Sequence, residues 1–239
     1  MTDAASWRQR RVAVIGCGGL GVPGAWTLVC AGVERLRLID TDVVEVSNLH
    51  RQVLYNEDDA GAIKTERLAA QLKSLAARLG QNLEVETREA RMTARDAEML
   101  LHGCDVAFEG TDDAVSKFVV NDWAIADRAG ANTRIAAIGA AIGRRGQWMV
   151  VKPGGACYRC LFEEAPPADM LATCQVAGVI GPVVGQVGAM CARSLVSALK
   201  CEADPGQSAL IRRVVGGFKT TAVDVAEDCR CARGWRACG

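Results

Sequence analysis

Apolar and polar positions change period several times along the chain, and each change predicts an element. Residues 12–15, Val-Ala-Val-Ile, are an unbroken apolar run, as expected of a strand buried on both faces of a parallel sheet. It stops at glycines, and an apolar stretch follows with Pro23 in its expected first helical turn, where a missing N–H costs little. A second such run, 36–39, ends at Asp40. Leu68, Leu72, Leu75 and Leu79 recur at helical spacing over 63–79, and Gly80 supplies the stop. Residues 83–86 alternate as a strand, 96–101 predict a short helix and 105–108 another strand. A helix is expected over 111–129, capped by Thr111 or Asp112. Runs at 133–141 and 147–152 predict two strands around a Gly-Arg-Arg-Gly turn. The character changes at Pro153, and a long apolar helix is expected over 183–199, then closing antiparallel strands at 210–215 and 218–225. Strands alternating with helices predict an α/β, Rossmann-like, doubly wound and mostly parallel sheet with C-terminal antiparallel strands.

Chemistry enters at the first strand. Gly16, Gly18 and Gly21 match the G-x-G-x-x-G spacing, in which missing side chains let backbone N–H groups approach phosphates at a helix N-terminus. Asp40 lies at the end of the next strand, about 20 residues on, where a carboxylate accepts ribose hydroxyls. Together these predict an adenine-nucleotide site. Arg51 and Lys64 follow shortly, and cations beyond a backbone cradle suit a triphosphate better than a dinucleotide. Glu109-Gly110-Thr111-Asp112-Asp113 falls at the C-terminal end of the fourth strand, the edge where open α/β sheets bind ligands. Asp112 has two readings there, a Mg²⁺ ligand or a helix N-cap.

With 239 residues the chain suits one well-filled α/β domain. Lys+Arg and Asp+Glu both total 28, so no global field favours DNA or an anionic membrane, and neither partner is expected. Residues 171–192 carry no charge, but their glycines, proline and glutamines predict a buried helix rather than a membrane span. The first eleven residues hold no apolar segment, so no export leader is expected. Eleven cysteines then point to a reducing, cytoplasmic setting in which thiols serve metals or chemistry. Cys157-x-x-Cys160 fits half a zinc site. Cys17, Cys30, Cys104, Cys191 and Cys201 sit in apolar stretches and are expected in the core. The tryptophans are expected in packing, and His50 and His102 receive no role.

The stretches GCGGLG, LIDTDVVEVSNLHRQ, GAIKTERLAA, GTDD, CYRCLF and TCQVAGVIGPVVGQVG, spread from Arg11 to Cys231, give the chain a specific likeness. It resembles the ubiquitin-activating-enzyme superfamily, in particular the bacterial MoeB/ThiF-type (HesA/MoeB/ThiF) adenylyltransferases of sulfur-carrier proteins. The resemblance implies an ATP-dependent enzyme that activates the C-terminal Gly-Gly carboxylate of a small ubiquitin-like protein, for molybdopterin, thiamin or another sulfur-containing metabolite. By position, Gly18, Gly19, Leu20 and Gly21 would line the nucleotide, Asp40 would hold the ribose, and Asp42 would be among the nucleotide-binding residues. Asn48, Arg51, Gln52 and Lys64 would contact phosphates, and Asp112 would bind Mg²⁺. The family closes the zinc site with a second cysteine pair, for which Cys229 and Cys231 are the expected members and Cys238 the alternative. Cys174 aligns with a cysteine that some members use for thioester, acyl-disulfide or persulfide chemistry and others dispense with. Members usually form homodimers in which an N-terminal arginine reaches the partner's ATP; only Arg8, Arg10 and Arg11 stand before or at the first strand in this sequence. Residues 1–152 would form the ATP-binding region and 153–239 the zinc- and carrier-binding part of the same domain. Two other readings stay open: a superfamily ligase or dehydratase acting on another carboxylate or a tRNA base, and a non-catalytic partner subunit.

Overall fold

The apolar runs become the central strands of one eight-stranded sheet. The computed structural model describes residues 6–126, 133–165, 178–200, 208–214 and 217–234. Its strands are β1 (Arg11–Ile15), β2 (Arg35–Ile39), β3 (Glu84–Arg88), β4 (Val106–Glu109), β5 (Ile135–Ile142), β6 (Arg145–Val151), β7 (Ser208–Val214) and β8 (Gly217–Val223). Its helices are α1 (Gly21–Ala31), α2 (Lys64–Arg78), α3 (Ala97–Leu100), α4 (Ala114–Ile125), α5 (Gly181–Leu199) and α6 (Arg230–Gly234). The strand order is β3-β2-β1-β4-β5-β6-β7-β8, parallel from β3 to β5 and antiparallel from there on. The chain leaves β1 first to one side, towards β2, and later returns to the other, as β4. That reversal opens a crevice at the C-terminal ends of these strands.

Two apolar layers sandwich the sheet. One gathers α1, α2 and α5 around Val12, Val14, Leu36, Leu38 and Phe108. The other gathers α3, α4 and the cysteine-bearing loops around Ala13, Ile15, Ala107 and Met149. The central strands are therefore covered on both faces, the condition that parallel strands require. At the β3 edge, Arg35 and Arg37 stand in register with Glu84 and Glu86 and pair with them. Arg11 joins the same ladder through Glu84 and Glu86. At the opposite edge β8 is exposed along nearly its whole length.

Several glycines sit where a side chain would collide with neighbouring main chain or rings. A Cβ on Gly188 of α5 would lie 2.4 Å from the Leu20 carbonyl oxygen, and one on Gly24 of α1 2.5 Å from the Phe108 ring. α5 therefore rests directly on the backbone that leads into α1. By length and composition α5 could cross a membrane, but half of its apolar window is buried against the protein's own sheet and helices.

Three expectations need correction. The cap of α4 is neither Thr111 nor Asp112: Asp113 takes the position, its Oδ1 accepting from the Val115 N–H at 3.0 Å. The helix begins at Ala114 because residues 110–113 are held in a turn, and it closes at Ile125. Cys30 is exposed on the outer side of α1, whereas Cys17, Cys104 and Cys191 are buried as expected; Cys201 lies outside the described residues.

The glycines of α5 give a stability test with its own control. Gly188→Ala should cost about 1–3 kcal/mol through overpacking against Leu20. Gly185→Ala meets nothing within 4 Å and should instead gain up to about 1 kcal/mol of helix propensity. Urea melts of both variants check the sign difference.

Candidate functional site

The site grows from the turn after β1. Gly16 has φ +87°, a left-handed conformation that glycine adopts at no steric cost. Its carbonyl oxygen would lie 1.7 Å from a Cβ on Gly21, so the turn doubles back on itself before α1 begins. The Asp40 carboxylate fastens this turn to the end of β2, accepting from the Cys17 N–H at 2.6 Å and the Asp42 N–H at 2.8 Å. Burial raises the Asp40 carboxyl above its ordinary value, while those two N–H groups and the Lys64 charge act to lower it. A carboxylate offers about four lone-pair sites, so the two hydrogen bonds leave room for ribose hydroxyls.

The loop after β2 folds over the glycines. A Cβ on Gly19 would lie 2.7 Å from Val184 of α5 and 3.4 Å from the Arg51 carbonyl oxygen, and one on Gly18 3.6 Å from Gln52 Nε2. Gln52 is buried, and its Oε1 has no partner among the described residues. Asn48 accepts from the Arg51 guanidinium and donates to Glu45. Lys64, the first residue of α2, is buried and donates from Nζ to Asp42 at 2.7 Å. The Tyr55 hydroxyl reaches both the Cys17 carbonyl (2.9 Å) and the Lys64 carbonyl (3.3 Å), tying glycine loop and α2 together.

The turn after β4 closes the crevice. Positions where a Cβ would stand on Gly16 and Gly110 lie 3.0 Å from the Thr111 nitrogen and 3.1 Å from the Gly21 nitrogen, so the 110–113 turn abuts the glycine loop. With Asp113 serving as the cap, Asp112 is left exposed with no partner among the described residues. Under this turn, Lys117 of α4 donates to the wholly buried Glu109 at 2.6 Å. The structure thus brings together Gly18, Gly19, Gly21, Asp40, Asp42, Asn48, Arg51, Gln52 and Lys64, with the Asp112 turn against them; Leu20 is buried beneath α5. Cys174 lies outside the described residues.

Three features chemically fit a nucleotide with its metal. The cradle has no room for side chains at Gly16, Gly19 and Gly21, the buried Gln52 amide keeps an oxygen unpartnered among the described residues, and Asp112 offers a carboxylate with no partner among them. Mg²⁺ commonly takes one or two protein carboxylates and completes its shell with phosphates and water.

The four cysteines form a separate centre on the α4 side. Cys157 and Cys160 flank a turn after β6, and Cys229 and Cys231 come from the C-terminal segment. The Cys157–Cys229 and Cys160–Cys231 sulfurs are 3.5 and 3.4 Å apart, and all four lie within 4.8 Å of one another. A tetrahedral thiolate site with Zn–S near 2.3 Å requires S···S of about 3.8 Å, so the donor set fits zinc. Hydrogen bonds from the Cys231 and Cys229 thiols bring Cys157 down to about 5. The turn is fastened to α4, where Asn121 accepts from the Tyr158 N–H at 2.7 Å and Asp122 takes Arg159 in a two-pronged pair at 2.7 and 2.8 Å. Cys231 thus stands in the cluster; Cys238 lies outside the described residues.

Glu109, Lys117 and Tyr55 were not foreseen as site residues. Lys117 gave one signal in sequence, a lone cation within the apolar run of α4.

The chain has relatives among known proteins and solved structures. An adenylyltransferase and sulfurtransferase, MOCS3, from Anopheles gambiae is 35% identical over 184 residues, covering 77% of this chain and 40% of that protein. An adenylyltransferase and sulfurtransferase, UBA4, from Saccharomyces cerevisiae (strain YJM789) is 35% identical over 188 residues, again 77% and 40%. The chain thus spans about two fifths of the length of these relatives. Among solved structures, E. coli MccB with ATP superposes with a TM-score of 0.77 at 20% identity, covering 96% of this chain and 69% of that one. PaaA superposes at 0.66 and 20%, covering 93% and 66%; both likenesses concern the fold. The ThiF family model matches residues 2–228, nearly the whole described chain, and the protein belongs to the ThiF family.

Proposed function

We propose that the chain is an ATP-dependent adenylyltransferase for the C-terminal Gly-Gly carboxylate of a small ubiquitin-like sulfur-carrier protein. The observation that carries this reading is the meeting of a side-chain-free glycine cradle with two cationic groups, Arg51 and the buried Lys64, at the β1 crevice. A dinucleotide asks for no such cations; the β- and γ-phosphates of ATP do. The relatives' names, adenylyltransferase and sulfurtransferase, support the adenylyltransferase part of it.

In the reaction a carboxylate oxygen attacks the α-phosphorus. The new O–P bond forms as the bond from the α-phosphorus to the bridging oxygen breaks, and the electron pair leaves with pyrophosphate. The nucleophile is already ionised, so no general base is required. The obstacle is repulsion between two anions, which fixed charge and in-line placement reduce. Arg51 and Lys64 supply the charge, with Asn48 and Asp42 orienting them. Gly18 to Gly21 present backbone N–H groups, Gln52 borders the cradle, and Asp40 takes the ribose. Mg²⁺, held by Asp112, would neutralise phosphate charge. Cys157, Cys160, Cys229 and Cys231 would hold a closed, structural zinc. We assign nucleotide binding to residues 1–152 and zinc and carrier binding to 153–239, with Cys174 as the thiol for onward sulfur transfer. A cytoplasmic homodimer serving molybdopterin or thiamin synthesis completes the reading.

ATP–pyrophosphate exchange in the presence of carriers ending in Gly-Gly is the test. Exchange should require the intact tail, vanish in Asp112→Ala and fall about 100-fold or more in Arg51→Ala. ATP binding without exchange for any carrier would sink the carrier reading and favour another carboxylate. Metal analysis tests the second centre: about one zinc per chain is expected, and Cys231→Ser should lose it and melt at lower temperature. Full zinc retention in that variant would remove Cys231 from the ligand set.

A further inference from the structure

Lys117 is the most completely satisfied buried cation near the site, yet none of its bonds goes to a group that would touch substrate. Its three ammonium donors are spent on Glu109 Oε2 (2.6 Å), the Thr111 carbonyl (2.7 Å) and the Gly139 carbonyl (2.8 Å). Glu109 uses its other oxygen on Thr111, accepting from the main-chain N–H at 3.1 Å and from the hydroxyl. Thr111 is therefore gripped by the pair at its N–H, its C=O and its side chain. Its hydroxyl oxygen also accepts from the Asp113 N–H at 3.2 Å. Asp113 is fixed in turn, capping α4 and pairing with Arg91. Both neighbours of Asp112 are thus immobilised, while Asp112 itself is exposed and has no partner among the described residues.

A buried ion pair is a poor device for stability alone, since apolar side chains of similar volume often do as well or better. This one is directed at a single turn. We propose that Lys117, braced by Glu109, is a positioning residue that holds the 110–113 turn in the shape presenting the Asp112 carboxylate to the metal–nucleotide. The inference rests on the reading of Asp112 as the Mg²⁺ ligand. Because its donors are saturated, Lys117 is not itself a phosphate ligand.

The test measures ATP binding by calorimetry across a Mg²⁺ series, with no carrier and no turnover. Lys117→Met alone strands a buried carboxylate, so the main variant is Glu109→Gln/Lys117→Met, which removes both charges; its folding is checked by circular dichroism and melting temperature. Expected is wild-type affinity for ATP without metal, with the Mg²⁺ concentration for half-maximal enhancement raised about 10–100-fold, as when the support of a metal ligand is lost. Adding Asp112→Ala should cause no further loss, because the two changes remove one function. A folded double variant with the wild-type Mg²⁺ requirement would overturn the proposal and leave the proposed function standing, as would losses that simply add. Wild-type protein that binds ATP with no Mg²⁺ enhancement, or binds none, would instead overturn the reading of the site, and this inference with it.

Discussion

Close approach of backbone to backbone at the β1–α1 turn is the constraint on which the rest of the structure depends. The Gly16 carbonyl sits where Gly21 would carry a side chain, and the Leu20 carbonyl sits where Gly188 would carry one. Gly181 at the start of α5 is pressed against the His50 carbonyl in the same way. Three segments distant in sequence therefore meet as bare main chain. Any Cβ at these contacts would wedge α5 away from the sheet and lift the 46–52 loop from the glycines. The crevice owes its shape to what these residues lack.

Charge is handled locally because the chain as a whole carries none in excess. Lys64 is buried against Asp42, itself largely exposed, at 2.7 Å. Asn48 and Glu45 form a chain of acceptors beneath Arg51. Asp40 is held by backbone N–H groups rather than by a cation. Lys64, Arg51 and Asp40 are thus each oriented by a neighbour before any ligand arrives, which leaves them little reorganisation.

Much of this was legible in the sequence where one residue type has one physical use. Unbroken apolar runs have no place but a covered sheet, and β1, β2 and β4 fell where the runs predict. Glycines at fixed spacing predict a tight turn after β1 with an acid one strand later beside it, and Asp40 does fasten that turn. Cysteine pairs in a chain expected to be reducing imply a shared centre, and four sulfurs do converge. The rest depends on contacts between segments. Thr111, Asp112 and Asp113 are all competent caps by type; the turn geometry set by Glu109 and Lys117 selects Asp113. Cys30 lies in an apolar stretch, but the outward phase of α1 leaves it exposed. Lys117 and Glu109 are eight residues apart and meet only because β4 runs straight into α4 through a tight turn.

The two edges of the sheet are unlike in one respect that bears on solubility. An edge strand offers unpaired N–H and C=O groups to any other extended chain, and charged side chains are the usual guard. The β3 edge is dense with charge, its Glu84 and Glu86 paired with Arg35 and Arg37 of β2. β8, Gly-Phe-Lys-Thr-Thr-Ala-Val, carries Lys219 as its single charge. Of the two edges, β8 is therefore the one less guarded by charge, with Lys219 alone on the strand.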